Sequence, residues 1–317
     1  MGLATRRNSA LTAAATGTTQ SSWRRVAAVL GDIKIAHTMF ALPFALLSAH
    51  LAFVWIGGYR WDTLVAILIC MVTARTAAMS FNRYLDRDLD ATNPRTRARS
   101  LPSGRARPVD ALAVVIGCSV IFVAACWYLG PWPLGLSVPT LAFLLTYSIS
   151  KRFTVMTHLW LGAALAIAPT GAWIAVTGGW SALPLLLSFA VACWVAGFDV
   201  IYALQDVDFD RVHRVLSAPA TMGIPKALWS ARTLHLLSFL ALASFGVWAG
   251  IGWPYWLALS LVAALLVVEH SLVRADDFSR VGIAFFTVNG VISIVLYLSV
   301  LAATMAGALR LPGGAAP

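Results

Sequence analysis

Nine stretches of this 317-residue chain are apolar and long enough to cross a bilayer, and that pattern leaves few folds open. They fall at about 35–57, 63–85, 110–130, 132–150, 156–177, 181–204, 227–249, 254–273 and 281–304. Hydrocarbon offers backbone polar groups no partner, so spans of about twenty residues are helices that satisfy their own hydrogen bonds. Composition agrees: 60% of the residues are hydrophobic and 11% are charged, where a soluble domain has about a quarter charged. The chain reads as an all-α integral membrane protein of about nine transmembrane helices.

Its net charge of +10 does not mark a nucleic-acid surface, because the cations are spread over short loops between spans. Gly130-Pro131, Gly178-Gly179 and Gly252-Trp253-Pro254 punctuate alternate junctions with nearly uncharged turns. With the N-terminus inside, 20 of the 23 Lys and Arg lie on the inner side. Only Arg60 and Arg310 lie outside, and Arg75 falls within the second span. The positive-inside rule therefore places the N-terminus in the cytoplasm. Residues 1–31 carry Arg6, Arg7, Arg24 and Arg25 and no acid, and are expected to form a disordered basic tail. Such a tail fits a protein of the bacterial inner membrane, with a mitochondrial presequence as the alternative. Residues 32–304 form the helical domain and 305–317 a C-terminal tail. Cys70, Cys118, Cys126 and Cys193 lie singly in apolar runs and read as small buried hydrophobes.

Against this background, "NRYLDRDLDATNPRT" (82–96) is conspicuous. Asn82, Asp86 and Asp90 lie within about 80° of one another on a helix, whereas Asp88 points elsewhere. The Asp-x-Asp-x-Asp pattern returns 120 residues later as Asp206, Asp208 and Asp210. If that helix continues through "DVIYALQDVDFDR", Asp199, Tyr202, Asp206 and Asp210 share a stripe. Both triplets follow even-numbered spans and so open on one membrane face, which hints at a duplicated four-helix unit. Two facing carboxylate stripes repel unless a cation separates them. Mg²⁺ is suited to that place, since it prefers oxygen ligands and is commonly shared between carboxylates and substrate phosphates. Arg83, Arg87, Arg95, Arg97, Arg99, Lys151, Arg152 and Arg211 supply more cation nearby than topology requires. Calcium loops of EF-hand type also open on such triplets. Here Ala91 and Arg211 stand where glycine is needed, and Arg97 and Ser217 where glutamate is needed.

Arg75 precedes Asn82 by seven residues and lies on nearly the same face, two turns deeper. An intramembrane charge faces a partner or a cavity. Arg75 is thus read either as a partner of a carboxylate such as Asp199 or as an anchor for an acidic substrate. Tyr147 and Lys151 are one turn apart at the inner end of the fourth span, where Lys151 could also snorkel to headgroups. Glu269 and His270 close the eighth span and read as an interfacial pair.

These motifs resemble those of the UbiA superfamily of intramembrane prenyltransferases. Asn82, Asp86 and Asp90 followed by "NPRTRARSLPSG" (93–104) match its first signature, "DVIYALQDVDFD" (199–210) its second, and Tyr147-x-x-x-Lys151 a third. The resemblance covers about 32–304. Within it, "IKIAHTMFALPFAL" (33–46) and "ARTAAMSFNRYLDRDLDATNPRT" (74–96) are most similar to enzymes that prenylate quinone precursors. The resemblance implies helices around a central cavity opening on the cytoplasmic side, and transfer of a polyprenyl chain from its diphosphate to an aromatic carbon. It implies Mg²⁺ at Asn82, Asp86, Asp90, Asp206 and Asp210, with those aspartates and Asp199 catalytic. The diphosphate would be gripped by Lys151, Tyr147 and Arg95, with Lys34 and Arg87 as further candidates. A departure is Leu216, near which the family usually has Lys or His: either His213 or Arg214 substitutes, or the diphosphate grip is weaker. If Arg75 and Asp199 receive the acceptor, a carboxylated phenol fits, 4-hydroxybenzoate ahead of a dihydroxynaphthoate. The rival reading, a transporter of divalent cations or organic anions, places its site near the midplane on broken helices, unlike two acidic motifs at one face.

Overall fold

A computed structural model describes residues 21–33, 38–274 and 277–312. Twelve helices are distinguished among them. They are α1 (Ser22–Gly31), α2 (Thr38–Ile56), α3 (Trp61–Thr92), α4 (Pro108–Leu129), α5 (Pro131–Ser150), α6 (Thr157–Thr177), α7 (Ala182–Tyr202), α8 (Val207–His213), α9 (Ala218–Met222), α10 (Ile224–Trp248), α11 (Trp253–Leu272) and α12 (Val281–Met305). α12 contains one widened turn, Ala284–Val288. Eight helices, counting α7 and α8 as one run, are long and apolar enough to cross a membrane. The apolar, slightly shorter α2 is the ninth among the described residues. The boundaries fall within a few residues of the apolar windows because prolines open α4, α5, α10 and α11 in their first turns. Large apolar side chains such as Val109, Ile116, Val120 and Val267 remain exposed on the outer faces. Water would penalise that surface, and lipid does not.

The core holds the site in place. α6 and α7 approach so closely that a Cβ on Gly162 would stand 2.3 Å from the Ala192 carbonyl oxygen. Behind the end of α7, Phe198 meets Phe40, Trp194 and Phe285 at ring distances of 5.0–5.1 Å. This aromatic packing, edge-to-face at Trp194 and Phe285 and tilted at Phe40, fixes the rotation of α7 and hence the direction of its acidic stripe.

Three expectations change. Residues 22–31 are not a disordered tail but the helix α1. Val26 and Val29 pack against Ala106, Ala111 and Val114, and Arg25 pairs with Asp110 at 3.0 Å. The basic sequence concealed an apolar stripe one turn long. The C-terminal segment is likewise tied down as far as Leu311. Gly252 N donates to Ala308 O at 2.6 Å and Arg310 N to Gly250 O at 3.0 Å. Gly250, at φ +60°, has no room for a Cβ beside the Arg310 carbonyl. Finally, Glu269 and His270 are not an interfacial pair: Glu269 is fully buried, accepts from Asn289 Nδ2 at 2.8 Å, and lies 3.9 Å from His235. Residues 1–20 lie outside the described residues.

Candidate functional site

A cavity of about 850 Å³ runs between α3, α4, α5, α6 and α7. Ile67, Met71, Phe122, Leu144, Leu161 and Phe189 are among its apolar walls, and one end is capped by charge. α3 builds the first side of that cap by continuing past its apolar part to Thr92, which puts the whole first motif on regular helix. Asp86 and Asp90 face inward, 3% and 7% exposed, while the Asp88 side chain is 86% exposed. Asp86 Oδ2 accepts from Lys151 Nζ at 2.5 Å and from Asn82 Nδ2 at 3.0 Å, and Arg152 lies 3.8 Å from Oδ1. Arg99 Nη1 reaches both oxygens of Asp90, at 2.7 and 2.8 Å. Arg83 donates to Asn82 Oδ1 at 3.2 Å. Tyr147, one turn before Lys151, lines the wall below.

The second side is built differently. α7 ends at Tyr202, a tight turn spans Ala203–Asp206, and α8 resumes the helical direction. The expected stripe survives this interruption: Asp199, Tyr202, Asp206 and Asp210 all line the cavity, while the Asp208 side chain is 94% exposed. The loop after α3 supplies the cation. Arg95 Nε donates to Asp206 Oδ1 at 3.0 Å, Nη2 reaches Oδ2, and Nη1 donates to Tyr202 Oη at 3.1 Å. Burial alone would lower the Arg95 pKa, but the two-point bond to Asp206 holds it above its ordinary value. The loop is pinned by Asn93 Oδ1 accepting from Arg95 N at 2.9 Å and by Asp32 Oδ2 accepting from Ser100 N at 2.6 Å. Asp210 Oδ2 accepts from Ser217 Oγ at 2.7 Å.

About 10 Å below this cap, seven residues at the helical rise, lies a second polar tier. Arg75 of α3 and Asp199 of α7 both line the cavity there. Asp199 Oδ2 is bonded to His158 Nδ1 at 2.7 Å, and His158 Nε2 accepts from Ala218 N at 3.1 Å. His158 escaped the sequence reading: it is one histidine in an apolar helix, and its partner is 41 residues away. Spacing along the chain carried no signal for it.

Some candidates are not brought together. Arg87 donates to the Tyr84 carbonyl at 2.8 Å and lies 3.6 Å from Asp88, outside the cavity lining. One step along the helix turns it about 100° away from Asp86. Lys34 lies outside the described residues. His213 and Arg214 do not replace the cation missing at Leu216: both are exposed, and His213 stacks on Phe209 instead. The cation paired with Asp206 is Arg95, from the loop after α3.

Among the described residues, no three His, Cys, Asp or Glu side chains gather closely enough to hold a metal by themselves. The donor set nevertheless suits Mg²⁺ shared with a substrate. The acids are hard oxygen donors, and Asp86 Oδ1 is buried without a hydrogen-bond partner. Each inward carboxylate other than Asp210 already rests against a cation or, for Asp199, a histidine.

Apolar walls beneath a cap of paired carboxylates and cations suit an intramembrane enzyme. The profile of the UbiA prenyltransferase family matches residues 41–291, and the chain belongs to that family. A 4-hydroxybenzoate octaprenyltransferase from Alcanivorax borkumensis is 31% identical over 224 residues, 70% of this chain and 77% of the relative. A protoheme IX farnesyltransferase from Korarchaeum cryptofilum is 28% identical over 240 residues, 74% of this chain and 80% of the relative. Among solved structures, the apo UbiA homologue from Aeropyrum pernix superposes with a TM-score of 0.73 at 28% identity, covering 86% of this chain and 98% of its own. The Archaeoglobus fulgidus homologue bound to GPP and Mg²⁺ shares the fold at a TM-score of 0.67 and 17% identity, with 89% and 99% covered.

Proposed function

We propose that this prenyltransferase moves a polyprenyl chain from its diphosphate to an aromatic quinone precursor in a Mg²⁺-dependent reaction, with 4-hydroxybenzoate the first-choice acceptor and a dihydroxynaphthoate the second. The observation that carries this reading is the two-tier cavity, with acids and cations at the cap and Arg75 with Asp199 about 10 Å below. A diphosphate at the cap leaves its allylic carbon pointing down the cavity, toward the lower tier, and an acceptor ring held there spans the gap between them. The relatives named as hydroxybenzoate prenyltransferases and the homologue that binds GPP and Mg²⁺ support the same assignment.

In this reading Lys151, Arg95 and Arg99 pass from their carboxylate partners to the diphosphate oxygens. Asp86, Asp90, Asp206 and Asp210, with Asn82, are then free to hold Mg²⁺. Bound there, Mg²⁺ would supply positive charge to stabilise the diphosphate as leaving group. Arg75 takes the acceptor's carboxylate and Asp199 its hydroxyl. The apolar walls keep water from the allylic centre until the ring attacks, and their aromatic faces tolerate its developing positive charge. The test is incubation of membranes holding the protein with Mg²⁺, a polyprenyl diphosphate and a panel of acceptors. A prenylated hydroxybenzoate or dihydroxynaphthoate product supports the reading. Turnover confined to porphyrin or lipid alcohol acceptors contradicts it.

The cap faces the cytoplasm of a bacterial inner membrane in this reading, since 20 cations flank that side against two. Reporter fusions at Ser103 and Pro317 should give cytoplasmic and exterior signals respectively. The same side for both contradicts the arrangement.

A further inference from the structure

We infer that His158 is a positioning residue, whose fixed tautomer holds Asp199 as an unprotonated acceptor toward the aromatic substrate's hydroxyl; the inference rests on the reading above that gives Asp199 that hydroxyl. The two residues are hydrogen-bonded at 2.7 Å, and both line the cavity. Carboxylate–imidazole pairs usually make the histidine the base, with the carboxylate orienting it. Here the imidazole donates from Nδ1 to the carboxylate in the same sense, but its other nitrogen is already taken. The backbone N–H of Ala218 can only donate, and it donates to His158 Nε2 at 3.1 Å. That nitrogen therefore carries a lone pair and is occupied by it, so the ring proton is on Nδ1 and is donated to Asp199 Oδ2. His158, 5% exposed, has no nitrogen left to receive a proton without breaking a buried bond. Asp199 keeps 21% of its side chain open, and that carboxylate is the group of the pair with capacity to accept.

The backbone around Ala218 makes this arrangement part of the site. Leu216 N donates to the Lys151 carbonyl at 2.9 Å, Ser217 Oγ to Asp210 at 2.7 Å, and Ala218 N to His158. Three consecutive residues thus fix one element of the cap, one of its carboxylates, and the histidine of the lower tier. The tautomer of His158 is set by the same loop that shapes the diphosphate end.

The chemistry balances as follows. The hydroxyl proton passes to Asp199 as the ring's electron pair forms the new C–C bond at the allylic carbon. The allylic C–O bond breaks, and its electrons leave with the diphosphate. The resulting dienone loses the proton from the attacked ring carbon and takes the hydroxyl proton back from Asp199. One proton and one diphosphate are released per prenyl group transferred.

The test compares His158→Leu, His158→Gln and Asp199→Asn with 4-hydroxybenzoate and with a ring-fluorinated analogue whose hydroxyl is more acidic and which keeps one ortho carbon free. Any phenolic acid in the panel that the unaltered enzyme prenylates can replace this pair. A base is worth about 10²–10⁴-fold, so Asp199→Asn should lose that much in kcat with little change in KM for the prenyl diphosphate. His158→Leu should lose a smaller part in kcat. In both variants the fluorinated acceptor should recover more than it gains with the unaltered enzyme, because it needs the base less. Gln can both donate to Asp199 and accept from Ala218, so His158→Gln should retain most activity. Equal losses with both acceptors, or the same loss in His158→Gln as in His158→Leu, overturn the inference while leaving the acceptor class standing. No turnover of any phenolic acid by the unaltered enzyme overturns both.

Discussion

The two acidic motifs look like copies in the sequence, 120 residues apart, yet the structure equips them unequally. The first lies on unbroken helix and has cations to spare: Lys151 and Arg152 at Asp86, and Arg99 at Asp90. The second lies on a helix broken by a tight turn. Asp206 depends on Arg95, which is borrowed from the loop that follows the first motif, and Asp210 has a serine hydroxyl. Charge complementarity at the cap is therefore a property of the assembled cavity and not of either motif alone. A repeated pattern fixed where the acids point; tertiary packing decided what they face.

This asymmetry ranks the outcomes of substitution. The largest effect is expected for the inward acids on either side. Asp86→Ala and Asp206→Ala should each reduce prenyl transfer by more than about 10²-fold in folded protein, because each removes preorganised charge from a water-poor site. A tenfold or smaller loss for Asp206→Ala would break the claim that the second motif is equal in function despite its poorer setting. Next comes Arg95→Ala. It removes a two-point, charge-assisted contact of about 1.5–3 kcal/mol, so KM for prenyl diphosphate should rise roughly 10–100-fold. Lys151→Ala should weaken the same substrate less, about tenfold, because Arg152 is 3.8 Å from the same aspartate and can partly substitute. A larger effect at Lys151 than at Arg95 would reverse the ranking. Asp88→Ala and His213→Ala should change turnover by no more than about twofold, as both side chains face away from the cavity.

The helices themselves were legible because hydrocarbon permits so few backbone solutions that apolar length and proline positions determine their limits. The inward set Asn82, Asp86, Asp90, Asp206 and Asp210 was legible from the helical period. Arg87 adjoins Asp86 in sequence, but a 100° rotation about the helix turns it out of the cavity. α1 has the composition of a disordered tail because its apolar stripe, Val26 and Val29, is too short to outweigh the arginines around it. His158 and Asn289 were missed for a different reason: each takes its meaning from a side chain on another helix, Asp199 and Glu269, and pairings across a bundle leave no local mark.

In the proposed reaction Lys151, Arg95 and Arg99 exchange their carboxylates for a diphosphate only when a divalent cation takes those carboxylates over. That exchange is tested most directly by following prenyl transfer by the isolated protein as Mg²⁺ is titrated back after chelation. Turnover should fall to background with chelator present and recover fully with Mg²⁺. Substantial turnover under chelation would contradict the exchange.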